Sequence, residues 1–147
     1  MRRSFLKILS GSFLAVAITA GAGLSAMAAE GTKVVYHMVD GLDQAQRGLG
    51  NIRNHLRAEP DAKIVVVAHG EGINFLLEGA KDRSGKPFDA AVAALASQGV
   101  EFRVCNNTLE ARNIPASKLV LEAKVVPAGV VEVANLQAKE HYAYLRP

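Results

Sequence analysis

A single cysteine is the clearest candidate for chemistry in this sequence. Cys105 is the only cysteine among the 147 residues, and it ends an apolar run of strand length that includes Phe102 and Val104. Asn107 and Glu110 have the spacing of a capping box, which predicts a helix with Asn107 as its N-cap. Backbone N–H groups at a helix N-terminus favour thiolate over thiol, so this placement predicts a reactive thiol. The alternative is a small buried hydrophobic residue, since free cysteine is among the most buried residue types.

Polar residues also follow the other predicted strands. Asp40 comes after the apolar run 33–39, and His69-Gly70 comes after the apolar run 62–68. In parallel sheets, ligands bind outside the carboxyl ends of the strands, which lie at one edge. We therefore predict one site from these strand-end residues: Cys105, His69, Gly70, Asp40, Asn106 and Asn107.

The roles of the histidines and the aspartate are open at this point. His69 either bonds Cys105 and helps to deprotonate it, or bonds the backbone of its own loop. Asp40 either orients a neighbouring side chain or bonds the Gly41 turn, and the turn is the preferred interpretation. His37 lies inside a strand, where a core histidine with satisfied hydrogen bonds is expected. The other histidines are predicted at the surface: His55 and His141.

Several kinds of site are disfavoured. One cysteine cannot form an internal disulfide, a C-x-x-C redox pair or a cysteine-rich metal site. Asp40, His69 and Cys105 are potential metal ligands, but their spacing does not require a metal, and we predict neither metal nor cofactor. Phe75 occupies the third glycine position of a dinucleotide fingerprint starting at Gly70, which makes nucleotide binding a weak hypothesis. No local signature of a cysteine hydrolase surrounds the thiol.

The first 28 residues have the features of a signal peptide. A basic segment, residues 1–7, precedes the moderately apolar segment 8–22, and Ala26-Met27-Ala28 matches a cleavage signal with small residues. The apolar segment is too short for a membrane span. Arg2-Arg3 resembles the twin-arginine export signal, which we favour over the general secretory route. We therefore expect one domain, residues 29–147, that is periplasmic and not attached to the membrane after cleavage.

The charge of the exported part is balanced. Three of the 17 basic residues lie in the N-terminal segment, so the remaining 14 equal the 14 acidic residues of the chain. The formal net charge of +3 therefore comes from the signal peptide alone. No basic stripe with interleaved aromatic residues is present, and nucleic-acid binding is not expected.

Apolar runs and helical patterns alternate about five times along the chain. This alternation predicts an α/β fold in which a parallel sheet carries helices on both faces. Asp43 is a predicted helix cap, Pro87 a predicted first helical residue, and the last strands are expected near 124–126 and 142–145. The apolar face of the helix that begins near Gly129 is predicted from four residues: Val130, Val133, Leu136 and Gln137.

Four segments, in their order and spacing, resemble the DsrE/DsrF-like sulfur-relay family. They are His69-Gly70-Glu71-Gly72 after a strand, Val104-Cys105-Asn106-Asn107-Thr108-Leu109, Pro127-Ala128-Gly129-Val130-Val131-Glu132-Val133, and Gln137 with Tyr142-Ala143-Tyr144. The resemblance implies a three-layer α/β/α sandwich with a mainly parallel five-stranded sheet, assembled into homo- or hetero-oligomers. It also implies that Cys105 matches the cysteine that carries sulfur as a persulfide in some members, while other members lack it. The better known members are cytoplasmic, so the export signal is a departure.

Together these features predict an exported sulfur-relay-type protein that carries or senses sulfane sulfur as a persulfide on Cys105. It would act as a carrier rather than as a turnover enzyme, and its partners would be a sulfur donor or acceptor protein, or small sulfur species. Helices after Pro87 and Pro127, rich in alanine and valine, favour a homo-oligomer. The alternative is a non-catalytic assembly or small-ligand-binding module in which the cysteine is buried.

Overall fold

A five-stranded parallel sheet forms the centre of the structure, a computed structural model that describes residues 31–147. The strands are β1 Lys33–Met38, β2 Lys63–Ala68, β3 Glu101–Cys105, β4 Ala123–Val126 and β5 Ala143–Leu145. Their order in the sheet is β4-β3-β2-β1-β5, and every neighbouring pair is parallel. The predicted α/β class and parallel sheet are therefore confirmed. The predicted signal peptide, residues 1–28, lies outside the described residues.

Helices cover both faces of the sheet. They are α1 Leu42–Ala58, α2 Asp89–Ala96, α3 Asn106–Ala111 and α4 Gly129–Glu140, with 3₁₀ helices at Gly70–Leu76 and Ala116–Lys118. Buried residues of α1, α2, α3 and the first 3₁₀ helix share one core with one face of the sheet. Among the helices of the described residues, only α4 contributes to the core on the other face. No helix in the described range is long and apolar enough to span a membrane.

The two cores differ greatly in size. On the larger side, Phe75 packs edge-to-face against Phe88 and Phe102, with ring centroids 6.0 and 6.2 Å apart. Such aromatic pairs add to the stabilisation from burial alone. The smaller core consists of five buried residues: Val35, Val65, Val67, Val133 and Leu136. The described part of the chain therefore anchors the sheet by a large core on one face and by α4 on the other.

Two predicted helix starts are wrong. α1 begins at Leu42 with Gly41 as its N-cap, at a φ of 87° that glycine adopts without steric cost. Asp43 does not cap this helix but pairs with Arg83. Pro87 lies ahead of α2, which begins at Asp89. Phe88, directly after Pro87, donates its N–H to the carbonyl of Ala80 at 3.0 Å, a contact with the preceding loop that the local pattern does not show.

The buried face of α4 is narrower than predicted. Val133 and Leu136 are buried against the sheet, as expected. Val130 is 63% exposed and Gln137 is also exposed, so both assignments are wrong. Because no other helix of residues 31–147 lies beside α4 on this face, only the stripe that touches the sheet is covered within that range. On the same face Arg103 of β3 forms an ion pair with Glu132 of α4.

Candidate functional site

Cys105 stands at the junction between β3 and α3. It is the N-cap residue of α3, in an extended conformation with φ −68° and ψ 117°. The predicted cap at Asn107 is therefore wrong by two positions, because the helix begins at Asn106, directly after the strand. Glu110 accepts a hydrogen bond from the Asn106 side chain at 2.7 Å and does not form a capping box. This geometry brings the cysteine closer to the helix N-terminus than the sequence pattern indicates.

Several groups that can donate a hydrogen bond lie near the sulfur of Cys105 and affect its pKa. Burial acts to raise the pKa of the thiol, since only 6% of the residue is exposed. The backbone N–H of Gly129, the hydroxyl and N–H of Thr108 and the N–H of Asn107 act in the opposite direction. The net effect lowers the pKa of the Cys105 thiol below its ordinary value. A buried cysteine is thus combined with an environment that favours its anion.

Thr108 connects the cysteine to the end of β2. Its Oγ1 accepts a hydrogen bond from the N–H of Gly70 at 3.0 Å. The carbonyl of Gly70 accepts a second one from Arg112 at 3.1 Å. These contacts fix the Thr108 hydroxyl so that its proton is available to the sulfur. Gly70, predicted as a binding residue, therefore positions another side chain, at a φ of 56° that suits glycine.

Gly129 brings the beginning of α4 against the cysteine. A Cβ at this position would lie 3.1 Å from the Cβ of Cys105 and 3.2 Å from the Cβ of His69. Both distances are shorter than ordinary van der Waals contacts. The absence of a side chain allows the backbone N–H of Gly129 to reach the sulfur. The site is therefore closed on this side by main chain.

A pair of imidazoles lies beside this contact. The rings of His37 and His69 are 4.7 Å apart between centroids. Burial lowers the pKa of both imidazoles, and the charge of the Arg146 guanidinium acts in the same direction. His69 also acts on His37, whose pKa is lowered to about 4. Both imidazoles are therefore neutral near pH 7. Within residues 31–147, His69 forms no hydrogen bond with Cys105, so its predicted role as a base remains a prediction.

His37 differs from the satisfied core histidine that the sequence predicts. It is half-buried, and its Nδ1 lies 2.8 Å from the hydroxyl of Tyr144 in β5. Its Nε2 is buried and has no hydrogen-bond partner in the described part of the chain. Of the two predicted surface histidines, His141 is exposed. His55 is half-buried, and its Nδ1 lies 3.0 Å from the Tyr36 hydroxyl.

Asp40 orients a neighbour and does not bond the turn as we preferred. Its two carboxylate oxygens accept hydrogen bonds from Nη2 of Arg146 at 2.8 and 2.9 Å. The turn is stabilised instead by Gln44, which is fully buried and whose Oε1 accepts from the N–H groups of Val39 and Asp40. The Arg146 charge, which acts on both imidazoles, is thus balanced by a carboxylate.

The structure brings together some of the predicted site residues and adds others. Cys105, His69, Gly70 and Asn107 lie close together, whereas Asn106 turns its side chain to Glu110. Among residues 31–147, no three His, Cys, Asp or Glu side chains are placed to bind a metal ion. Sequence reasoning did not assign five residues to the site, among them His37, which it interpreted as a core histidine: Thr108, Gly129, Tyr144, Arg146 and His37. Of these five, only Gly129 lies in a pattern that the sequence itself shows, a proline and a glycine at the predicted start of a helix.

Comparison with known proteins gives a consistent picture. The model of the DsrE/DsrF-like family matches residues 24–147. The solved structure of MTH1491 from Methanobacterium thermoautotrophicum, described as a protein of unknown function, is 31% identical, with a TM-score of 0.70. It covers 79% of this chain and 99% of its own. The ychN protein from E. coli, 16% identical with a TM-score of 0.67 and the same two coverages, shares the fold. No curated protein matches.

Proposed function

This chain belongs to the DsrE/DsrF-like family, and from this membership we propose that it is a sulfur-relay protein that holds sulfane sulfur as a persulfide on Cys105. The family suggests a function of the sulfur-relay type. The observation that carries the finer proposal is the set of donors around the sulfur: the N–H of Gly129, the hydroxyl and N–H of Thr108, and the N–H of Asn107. Such donors stabilise a thiolate and, equally, the anion of a persulfide.

The proposed step needs no oxidant and no cofactor. The Cys105 thiolate attacks the outer sulfur of a donor persulfide and forms a new S–S bond. The S–S bond of the donor breaks, and its electron pair leaves with the donor sulfur as a thiolate. The hydrogen on the transferred sulfur stays there, so Cys105 becomes a hydropersulfide. Release to an acceptor thiolate is the same reaction in reverse.

Intact mass spectrometry tests this proposal directly. After incubation with a persulfide or polysulfide donor, we expect the wild type to gain the mass of sulfur atoms and Cys105→Ser to gain none. Denaturant unfolding of both proteins controls for the fold, since serine and cysteine are nearly isosteric. An equal gain of mass in both proteins, or no gain in either, would contradict persulfide formation on Cys105.

The burial of Cys105 favours one alternative, an assembly or ligand-binding module with an inert thiol. The two functions differ in thiol pKa, which follows from the rate of alkylation by iodoacetamide as a function of pH. A carrier requires a pKa below the ordinary value of about 8.5. A pKa at or above that value would identify Cys105 as a packing residue and support the alternative.

We also propose that the protein is exported to the periplasm through the twin-arginine route. Support comes from Arg2-Arg3, the apolar segment 8–22 and the small residues of Ala26-Met27-Ala28. Replacing Arg2 and Arg3 by Lys should leave the precursor in the cytoplasm, and the wild-type exported protein should begin near Ala29. Normal export of the double variant would rule out this route and leave the general secretory route.

A further inference from the structure

Two buried nitrogens near Cys105 have no hydrogen-bond partner in residues 31–147. They are Nε2 of His37 and Nε2 of His69. Buried polar atoms in native proteins nearly always have a partner, so two such atoms in one place indicate a group that the protein alone does not supply. Each neutral imidazole nitrogen can either donate or accept one hydrogen bond.

His69 lies close to the cysteine, and His37 lies next to His69. The two rings are 4.7 Å apart between centroids. Cδ2 of His69, the carbon bonded to Nε2, would lie 3.5 Å from a Cβ at position 129. That same Cβ position is 3.1 Å from the Cβ of Cys105. The His69 and Cys105 side chains therefore both border the backbone of Gly129, and the His37 ring adjoins the ring of His69.

Access to the sulfur is narrow. Cys105 is 6% exposed, because the start of α4 covers it on one side and the first turn of α3 surrounds it on the other. A persulfide carried by a peptide or a protein brings a bulky substituent next to its reactive sulfur. A chain of two or a few sulfur atoms has no substituent and is one atom wide. The enclosure favours the second kind of donor.

We propose that Cys105 takes its sulfur from a small inorganic polysulfide, and that the His37 and His69 imidazoles bind this sulfur chain. This inference rests on the proposed function and names its substrate class. Arg146, which faces both histidines, is paired with Asp40. The fixed charges at the site thus nearly cancel, and recognition depends on hydrogen bonds from neutral groups, with Tyr144 fixing His37 from the solvent side.

The step is balanced for the simplest donor, the hydrodisulfide anion. The Cys105 sulfur attacks the protonated sulfur of HS–S⁻ and forms an S–S bond. The S–S bond of the donor breaks, and the departing sulfur takes the electron pair. This departing sulfur takes one proton, equal to the one that Cys105 lost on ionisation, from the solvent through the His69 imidazole and leaves as HS⁻. The products are a Cys105 hydropersulfide and hydrosulfide, and no oxidant or reductant is needed.

A comparison of donors tests the inference on the wild-type protein. Loading is followed by intact mass with sodium tetrasulfide, glutathione persulfide or persulfidated serum albumin at equal sulfane sulfur. We expect loading by the tetrasulfide to be faster than by the other two by at least about tenfold. Equal rates for all three would overturn the inference and leave the proposed function intact. Loading by none would instead contradict the proposed function.

Histidine variants test the role of the imidazoles. His37→Gln and His69→Gln should each slow tetrasulfide loading by about tenfold or more, since proton transfer by a placed group contributes at least that much. Both should alter its pH profile, while alkylation by iodoacetamide should change far less. His141→Asn, at an exposed histidine, is the matched control. Variants that are folded by circular dichroism and load at the wild-type rate would remove the imidazoles from the proposal.

Discussion

At the residue scale, the decisive feature of Cys105 is the balance between burial and hydrogen bonding. Burial alone would raise the pKa of the thiol, and the surrounding N–H and O–H groups reverse that effect. Three of these donors are backbone groups, which substitution cannot easily remove. The hydroxyl of Thr108 is the exception, so the balance can be tested at that residue.

Replacing Thr108 by Val should raise the pKa of the Cys105 thiol. The change removes a hydrogen bond to a charged group, worth about 1.5–3 kcal/mol, and each pKa unit corresponds to about 1.4 kcal/mol. We expect a rise of about one unit, measured from the pH dependence of alkylation by iodoacetamide. Thr108→Ser keeps the hydroxyl and should keep the pKa. An unchanged pKa in Thr108→Val would show that the backbone donors act alone.

The His37 imidazole should make the stability of the protein depend on pH. Its pKa is about 4 in the folded protein, below the ordinary value of 6.5. Between these values the unfolded chain binds a proton that the native protein does not, so the free energy of unfolding should fall as pH falls from 6.5 to 4. After allowance for solvent screening, we expect a loss of about 1–2 kcal/mol from His37.

Urea unfolding at a series of pH values measures this effect. His37→Gln should flatten the curve over this range, because glutamine does not titrate. His141→Asn should leave the curve unchanged, since His141 is exposed. The same slope in the wild type and in His37→Gln would assign the pH dependence to other groups, of which His69, whose pKa is also lowered, is the first candidate.

At the scale of elements, α4 has two functions. It covers the smaller core of the sheet, and its first residue closes the site over Cys105. Because only Val133 and Leu136 anchor it in that core, the position of the helix depends on few contacts. Loosening these contacts should expose the cysteine without direct change to the site.

Leu136→Ala should destabilise the protein by about 2–5 kcal/mol, the usual cost of emptying a fully buried leucine site. It should also accelerate alkylation of Cys105, since the covering helix is held less firmly. Val130→Ala, at a residue of the same helix that is mostly exposed, should change stability by less than about 0.5 kcal/mol. Denaturant unfolding and alkylation rates provide the two measurements. Equal effects from both substitutions would show that α4 does not depend on the smaller core.

The elements themselves were largely predictable from the sequence, because the apolar runs at 33–39 and 62–68 have the length and composition of strands buried on both faces. Parallel order then placed His69 and Cys105 at one edge. The capping of α3 was not predictable, since it depends on how β3 enters the helix. The contacts of Tyr144 and Arg146 were also hidden, because they join residues about a hundred positions apart.

At the scale of the whole molecule, the outer surface of α4 carries exposed aliphatic side chains. Val130 is 63% and Val131 56% exposed, next to the glycine that closes the site. Contiguous exposed apolar patches mark interaction surfaces, and these two valines would contribute to one. Together with the family membership, they support the proposal that the protein is a homo-oligomer.

Sedimentation velocity at micromolar concentration should therefore show a species larger than the monomer. Val131→Lys places a charge in the expected interface and should shift the distribution toward monomer. Arg57→Gln, on the opposite side of the sheet, is the control and should not alter it. A monomeric wild type would contradict the proposal, and both valines would then be ordinary surface residues.

The pairing of β1 with β5 has a consequence for biosynthesis. Of the five strands, β1 is an interior strand that emerges from the ribosome first, yet one of its two neighbours, β5, is the last to be made. Until then β1 has an open edge, and His37 and Asp40 lack Tyr144 and Arg146. A prematurely terminated chain would therefore expose an unpaired strand edge and an incomplete site. A translocase that accepts only folded proteins would therefore export only those chains in which β5 has been synthesised.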